Sequence, residues 1–581
     1  MSLSSAFFAA LAGAVFVRLF YGVNFLDEAY YVALPYTFAL GNRPLVNELF
    51  VSQLSGLLLT PPVVGYVALV GSAEGLVLFM RCLFFVYSLG CCAVVIAFLR
   101  GRIGLPGAIL VAGLVITFVP AAIPSLSYNT LGYLGFTCGS FLIAHGVTSR
   151  AGVARVLAGV AFHASAAMAY PALVPAAAIA CASGVVLAWR GSERSGRRGL
   201  VAGIGAIVCV AVALIALVVL DAGPDAVARA RDYAASFQFG RYRGGWAKVL
   251  EVLTLPPEAK RFVSTMLVGV VVLWLVTLLG GLPAIIAALA VPIASLWLPR
   301  EQAGGGQYAY LLVLGLGLLP VVVLPLLWCE RRTSRQMVPE MAVWLWSLVA
   351  GLCTAWASAN GIRNAQLGLL PGAVMAAAWL LRLGSTQAGS GLGRHGRAAV
   401  FVALVASCEL LQLRALYGYV YLDAPMRSLT AWVPEGPFRG LRTTPKRRDF
   451  LRQLRDDLRA VEPGNASIAF LDDFPGGFLF TRLIPQTPTV WVFGNWTAVR
   501  IAYDRSVLRR YYADDTMLPD VVVQFRAVPL EGNATLPTRP RPRDELLELF
   551  APPAYAVRIA RPNYVILQRV RGTRDAAATR P

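Results

Sequence analysis

An aspartate and a glutamate stand side by side in Asn24-Phe25-Leu26-Asp27-Glu28-Ala29-Tyr30-Tyr31. The residues just before them, about 4–22, form an apolar run long enough to span a membrane. Two carboxylates therefore sit at a membrane boundary. Such a group can serve as a general base, taking the proton of an attacking hydroxyl in the transition state. The Asp27–Glu28 pair can also hold a hard divalent cation, which prefers carboxylate oxygens. The plain alternative is structural, because acidic side chains stabilise helix N-termini.

A reaction that expels phosphate needs a cation at the leaving group. Residues 221–262 carry Arg229, Arg231, Arg241, Arg243, Lys248, Lys260 and Arg261. Within them, Arg241 and Arg243 alternate with Gly240, Tyr242 and Gly244, a pattern able to clamp phosphate oxygens bidentately. The competing reading is an amphipathic segment touching lipid phosphates. Arg363, in Asn360-Gly361-Ile362-Arg363-Asn364, is a second phosphate candidate; its alternative is snorkelling beside a capped helix end. Tyr128 and Asn129 follow Pro124 in an uncharged turn, where they either line a cavity or satisfy the turn itself. Glu48 reads as a second pocket carboxylate or as a solvated charge. Tyr30, Tyr31 and Tyr36 read as a sugar platform or as interfacial belt aromatics, the belt being the plainer expectation. His145, His163 and His395 lie far apart, and no metal or catalytic role is expected of them.

These residues are carried by a chain of 581 residues that is 57% hydrophobic and only 14% charged, with a mean hydropathy of +0.64. Soluble proteins carry about 25% charged residues, so the composition is that of an integral membrane protein. The net charge of +20 does not point to nucleic acid, because the arginines gather in short turns between apolar runs. The first run lacks a basic leader and a small-residue cleavage site, and reads as a retained span. The nine cysteines lie in or beside apolar segments, none beyond Cys408, and read as small buried hydrophobes.

About thirteen spans are expected, near 4–22, 77–99, 107–123, 131–147, 153–169, 172–189, 200–220, 263–280, 282–298, 308–328, 341–358, 365–382 and 398–416. With the N-terminus inside, the inner turns hold Arg100, Arg102, Arg155, Arg190, Arg194, Arg197 and Arg198, and later Arg331, Arg382 and Arg397. The outer turns at 121–130 and 169–172 hold no Lys or Arg. This bias places Asp27 outside, and the C-terminal region with it. Within the first outer loop, 23–76, segments 28–40 and 45–59 are too short and interrupted to span, and fit interfacial helices.

Residues 1–416 thus form one unit and 417–581 another. The latter is rich in proline and charge. A helical pattern runs over 449–458, and β-like runs occupy 467–471, 489–493, 520–524 and 564–567, which suggests a small α/β domain. The last ten residues read as a frayed tail. The sequons at Asn465, Asn495 and Asn533 carry no expectation of glycosylation, because the Ala/Gly/Arg-rich usage reads as bacterial.

The acidic pair after the first span, followed by Gly41-Asn42-Arg43-Pro44, Asn47-Glu48 and Pro61-Pro62 before the next strong span, resembles the first extracytoplasmic loop of the GT-C glycosyltransferases. The branch is that of protein O-mannosyltransferases and lipid A aminoarabinose transferases. The resemblance is strongest over residues 1–150. It implies a mostly α polytopic bundle with a C-terminal extracytoplasmic α/β domain, in a bacterial inner membrane. It also implies an inverting transfer of sugar from a polyprenyl-phosphate donor to a cell-envelope acceptor, with Asp27 as base. The family's second acidic residue has no counterpart in 121–130, so Glu28 or Glu48 would have to substitute. Some members use a divalent metal and others do not. The competing function is a non-catalytic polyprenyl-phosphate binder or a lipid or sugar transporter.

Overall fold

The computed structural model describes residues 2–50, 53–149, 152–191, 193–236, 250, 254–278, 283, 286, 307–329, 337–358, 360–385, 391–418, 420–471, 474–491, 511–513, 515–525 and 549–570. Eleven helices among them are long and apolar enough to cross a membrane, and the 16-residue helix α1 (Leu3–Arg18) is apolar but shorter. The loop expected over 23–76 supplies α2 (Asp27–Ala39) and α3 (Gln53–Val70). Then α4 (Leu76–Thr117) covers two expected spans in one element, broken at Gly104, whose φ of 74° suits glycine. The bundle continues through α5 (Tyr128–Thr148), α6 (Gly152–Ala169), α7 (Val174–Gly191) and α8 (Arg194–Ala222). A short α9 (Pro224–Ser236) precedes α10 (Pro257–Leu278). The span expected near 308–328 is two helices, α11 (Gln307–Leu318) and α12 (Pro320–Cys329), because Pro320 starts a new one. The final three are α13 (Val338–Trp356), α14 (Gln366–Gly384) and α15 (Gly391–Gly418). Most of the expected span 282–298 lies outside the described residues.

Small residues set the closest approaches. A Cβ on Gly368 of α14 would come within 2.2 Å of the backbone of Ala350 and Gly351 on α13. A Cβ on Gly159 of α6 would come within 2.8 Å of the Gly139 carbonyl on α5. In lipid, where apolar faces gain little from meeting each other, such close backbone packing is what joins helices. At the arginine-rich end of the bundle, buried Glu340 accepts from Trp379 Nε1 at 2.7 Å and from both Arg382 nitrogens at 2.9 Å. It also pairs with Arg102 at 3.1 Å.

Helix α2 lies where a helix is expected over 28–40, with most of its residues buried in protein. The segment expected at 45–59 is displaced: the helix instead runs over Gln53–Val70, through Pro61 and Pro62. Length and composition alone would let it cross a membrane. Its two ends argue otherwise. Near its start, Phe50 stacks on Trp491; just past its end, the Gly71 carbonyl accepts from Arg482. Both partners belong to the C-terminal region, so the roughly 27 Å of helix lies along one face rather than through the bundle.

The C-terminal region opens with a hairpin of β1 (Ala431–Trp432) and β2 (Arg442–Thr443). Next comes α16 (Pro445–Val461), whose N-cap Thr444 accepts from the Arg447 amide and whose first residue is proline. Its apolar stripe of Phe450, Leu454, Leu458 and Val461 is buried with Ile468, Phe470, Val521, Val523 and Ile566 of the sheet. The sheet is mixed, in the order β4 (Ile484–Pro485), β3 (Ser467–Leu471), β5 (Val521–Phe525), β7 (Tyr564–Arg569), β6 (Tyr555–Ala560). The first three strands are parallel and the rest antiparallel. Three of the four expected strands are present. Of the fourth, 489–493, the last two residues lie outside the described residues, and Thr489-Val490-Trp491 is corrected to irregular, its backbone and hydroxyl groups binding Glu48.

Candidate functional site

Asp27 is the first residue of α2 and so stands at the positive end of that helix. It is half-buried. Burial pushes its carboxyl up to about 6, against the pull of a hydrogen bond donated by the Tyr421 hydroxyl, which favours the ionised form. Tyr421 comes from the chain just past α15, so the two ends of the bundle meet at this carboxylate.

One turn along α2, the ring of Tyr31 lies 5.5 Å from that of Tyr128, nearly perpendicular to it. Asn129 Nδ2 donates to the Tyr31 hydroxyl at 3.5 Å. Tyr128 in turn lies 5.5 Å from Tyr170. Tyr128 and Asn129 are fixed because Ser127 and Thr130 form a reciprocal capping box that starts α5 at Tyr128. Asn129 Oδ1 is buried and has no hydrogen-bond partner among the described residues. The result is an acid beside phenol hydroxyls and an unsatisfied amide oxygen, a set suited to hydroxyl-rich ligands. The structure thus brings Tyr128 and Asn129 to the Asp27 helix.

Glu28 points elsewhere. Its Oε1 and Oε2 accept from Arg81 Nε and Nη2, both at 2.6 Å, and both side chains are about 1–2% exposed. Arg81 also donates to the carbonyls of Leu19 and Gly22, at 2.5 and 2.8 Å. Arg81 therefore binds the start of α4 both to α2, through Glu28, and to the end of the first span. With both its oxygens on Arg81, it is not poised to share a metal with Asp27. Among the described residues no three His, Cys, Asp or Glu side chains gather as a metal group.

Glu48 is also buried, and not solvated. Its Oε1 accepts from Thr489 Oγ1 at 2.6 Å and the Phe50 amide at 3.0 Å; its Oε2 accepts from the Val490 amide at 2.8 Å. Burial pushes it up to about 7, while the three donors pull the other way. Glu48 is thus a latch between the loop that joins α2 to α3 and the C-terminal region. Tyr30 belongs to that same interface: its ring meets Trp491 at 4.6 Å and Phe50 at 5.9 Å. Tyr36 donates to the Thr481 carbonyl at 3.1 Å. All three α2 tyrosines are buried in protein, which corrects the belt expectation: the C-terminal region roofs the loop.

Arg363 is half-exposed, pairs with Glu258 at 3.4 Å and lies over Tyr310. No contact brings it to Asp27. Arg241 and Arg243 lie outside the described residues. His163 is buried against Phe136, with Ser140 Oγ 3.5 Å from Nε2.

Several residues of the site carried too weak a sequence signal to be singled out. Arg81 is a lone cation at the head of an apolar run, which is itself a warning that it is buried and paired. Asp423 and Arg447 form a buried pair at 3.1 Å, and they hold the Val23 amide at 2.7 Å and the Val23 carbonyl at 2.7 Å. Tyr421 carried no signal beyond its place after the last span.

No sequence-family profile matches the chain, and no curated protein sequence matches it. Among solved structures it is similar to ArnT from Cupriavidus metallidurans bound to undecaprenyl phosphate, at 12% identity and a TM-score of 0.46, over 98% of each chain. It is also similar to the oligosaccharyltransferase AglB from Archaeoglobus fulgidus in complex with an inhibitory peptide and a dolichol-phosphate. That match has 12% identity and a TM-score of 0.44, over 90% of this chain and 69% of the other. Both superpositions are loose.

Proposed function

We propose that this protein is a membrane glycosyltransferase of GT-C type, moving a sugar from a polyprenyl-phosphate donor to an acceptor hydroxyl on the outer face of a bacterial inner membrane. The observation that carries the reading is Asp27. It is a half-buried carboxylate at a helix N-terminus, held by Tyr421 and followed on α2 by Tyr31 with Tyr128 and Asn129. A group whose carboxyl sits near 6 is largely ionised at neutral pH and still basic enough to take a proton. In the reaction the acceptor oxygen bonds to the anomeric carbon and the bond from that carbon to the phosphate oxygen breaks. The acceptor proton passes to Asp27, and the polyprenyl phosphate leaves with the electron pair. Attack opposite the leaving group inverts the anomeric centre. Glu28 acts at one remove, by fixing α2 through Arg81. Arg241, Arg243 and Arg363 are the donor-phosphate candidates, and the aromatic and amide groups on α2 and α5 line the sugar pocket.

The test is transfer from a panel of radiolabelled polyprenyl-phosphate sugars by the purified protein, wild type against Asp27→Asn. Asn keeps the shape but takes no proton, so transfer should fall roughly 100-fold or more with donor binding retained. Near wild-type turnover in a well-folded Asp27→Asn protein would remove the catalytic reading and favour a lipid-phosphate binder.

A further inference from the structure

The last helix of the bundle carries an acid that takes no part in the chemistry above. Glu409 stands within Ala406-Ser407-Cys408-Glu409-Leu410-Leu411-Gln412 of α15 and has no solvent exposure. Its carboxyl rests on Gly113 of α4, where an added Cβ would come within 2.6 Å of both Cδ and Oε1. Gly113 therefore makes the room that the acid fills. Among the described residues neither carboxyl oxygen has a hydrogen-bond partner. One turn further on, Thr117 Oγ1 lies 2.6 Å from Gln412 Oε1 and 2.7 Å from the Gly113 carbonyl, while Gln412 Nε2 has no partner. The described titratable groups that feel Glu409 are Cys92 on α4 and Cys408 beside it, and neither thiol supplies positive charge. Cys92 Sγ is directed at the Ala112 carbonyl, 3.4 Å away.

A carboxylate with no counter-charge in an apolar interior is strongly disfavoured, and proteins keep such groups only paired or neutralised. Sodium would need several oxygens around it. Beyond the carboxyl, the oxygens placed here among the described residues are Gln412 Oε1, Thr117 Oγ1 and the Gly113 carbonyl; the Thr117 hydroxyl serves the other two, and none of the three is hydrogen-bonded to the carboxyl. A proton neutralises the group with a single bond and needs no further ligand.

We propose that Glu409 is an intramembrane proton-binding site, a carboxylic acid at neutral pH seated on Gly113 at the α4–α15 seam beside the Gln412–Thr117 pair. The proton is taken from water and forms one O–H bond; no other reactant is required. The bound proton lets the two helices stay in close contact here.

The test compares infrared spectra of the purified full-length protein, wild type minus Glu409→Gln, from mildly acidic to mildly alkaline pH. A protonated-carboxyl C=O band present throughout in the wild type and lost in the variant is the expected result. Carboxylate bands in its place overturn the proposal. A second measurement uses the wild type alone and does not depend on the variant folding: thermal stability is followed as sodium chloride replaces choline chloride. No sodium-specific change is expected, and a saturable rise in Tm with sodium overturns the proton in favour of a metal cation.

Discussion

The Tyr421–Asp27 contact is where a single atom has the largest expected effect on the proposed reaction. The ionised base is lost as pH falls through about 6, so transfer should fall with it. Tyr421→Phe removes a donor that favours the ionised form. The acid limb of the pH–rate profile should therefore move up by about one unit, with the alkaline plateau largely kept. An unmoved limb would mean that the hydroxyl does not hold Asp27 in the working enzyme. The sequence made Asp27 legible, because two carboxylates directly after an apolar span are rare and costly. It did not make Tyr421 legible, because a tyrosine after a span has no distinguishing neighbour, and only the folded chain brings position 421 to position 27.

Among the elements, α2 is held by Glu28 and the loop after it by Glu48, two carboxylates that sequence reasoning placed in or near a pocket. Arg81→Met would leave Glu28 charged and buried with no partner, a change that typically costs about 3–5 kcal/mol. A large fall in Tm is expected, and the double variant Glu28→Leu/Arg81→Met should recover much of it. If Arg81→Met melted like wild type, the clamp would be refuted. Glu48 gives a pH signature. Its carboxyl lies near 4.5 ordinarily and near 7 here, so the folded protein holds this proton to higher pH than the unfolded chain. Its contribution to stability therefore falls as pH rises from about 4.5 through about 7. Melting curves across that window should show wild-type Tm declining relative to Glu48→Gln, and parallel curves would rule the latch out as a titrating group. Charge alone could not separate the pocket and latch roles: Glu28 and Glu48 look like free carboxylates until Arg81 and Thr489 are placed against them.

At the scale of the whole molecule, hydrophobic periodicity was enough to find most of the helices. It separated 77–99 from 107–123, and the chain does break there, at Gly104, whose backbone is not helical. It misjudged α3, because Pro61 and Pro62 read as breakers while the helix runs through them. The α/β character of the C-terminal region was readable from its alternating runs. Its roofing of the first loop was not, because that contact is made by irregular backbone. The arginine bias predicts that reporters fused near residues 195 and 440 will report opposite sides of the membrane. The same side for both would overturn the orientation, and with it the outer placement of Asp27.

The joint between the two ends of the bundle has a temporal consequence. Arg18 Nε donates to the Leu416 carbonyl across 398 residues of sequence, Tyr417 reaches back to the Ala14 carbonyl, and the Arg442 amide donates to the Phe20 carbonyl. A ribosome delivers the chain from the N-terminus, so Asp27 emerges long before its partners, which follow only after the helices α3 to α15. Until then the acidic pair must wait at the membrane surface without Tyr421, the Asp423–Arg447 pair or the Thr489 loop. The centre is therefore assembled only after α15 has been made, and a chain truncated after α15 would insert its helices yet leave the carboxylate unset.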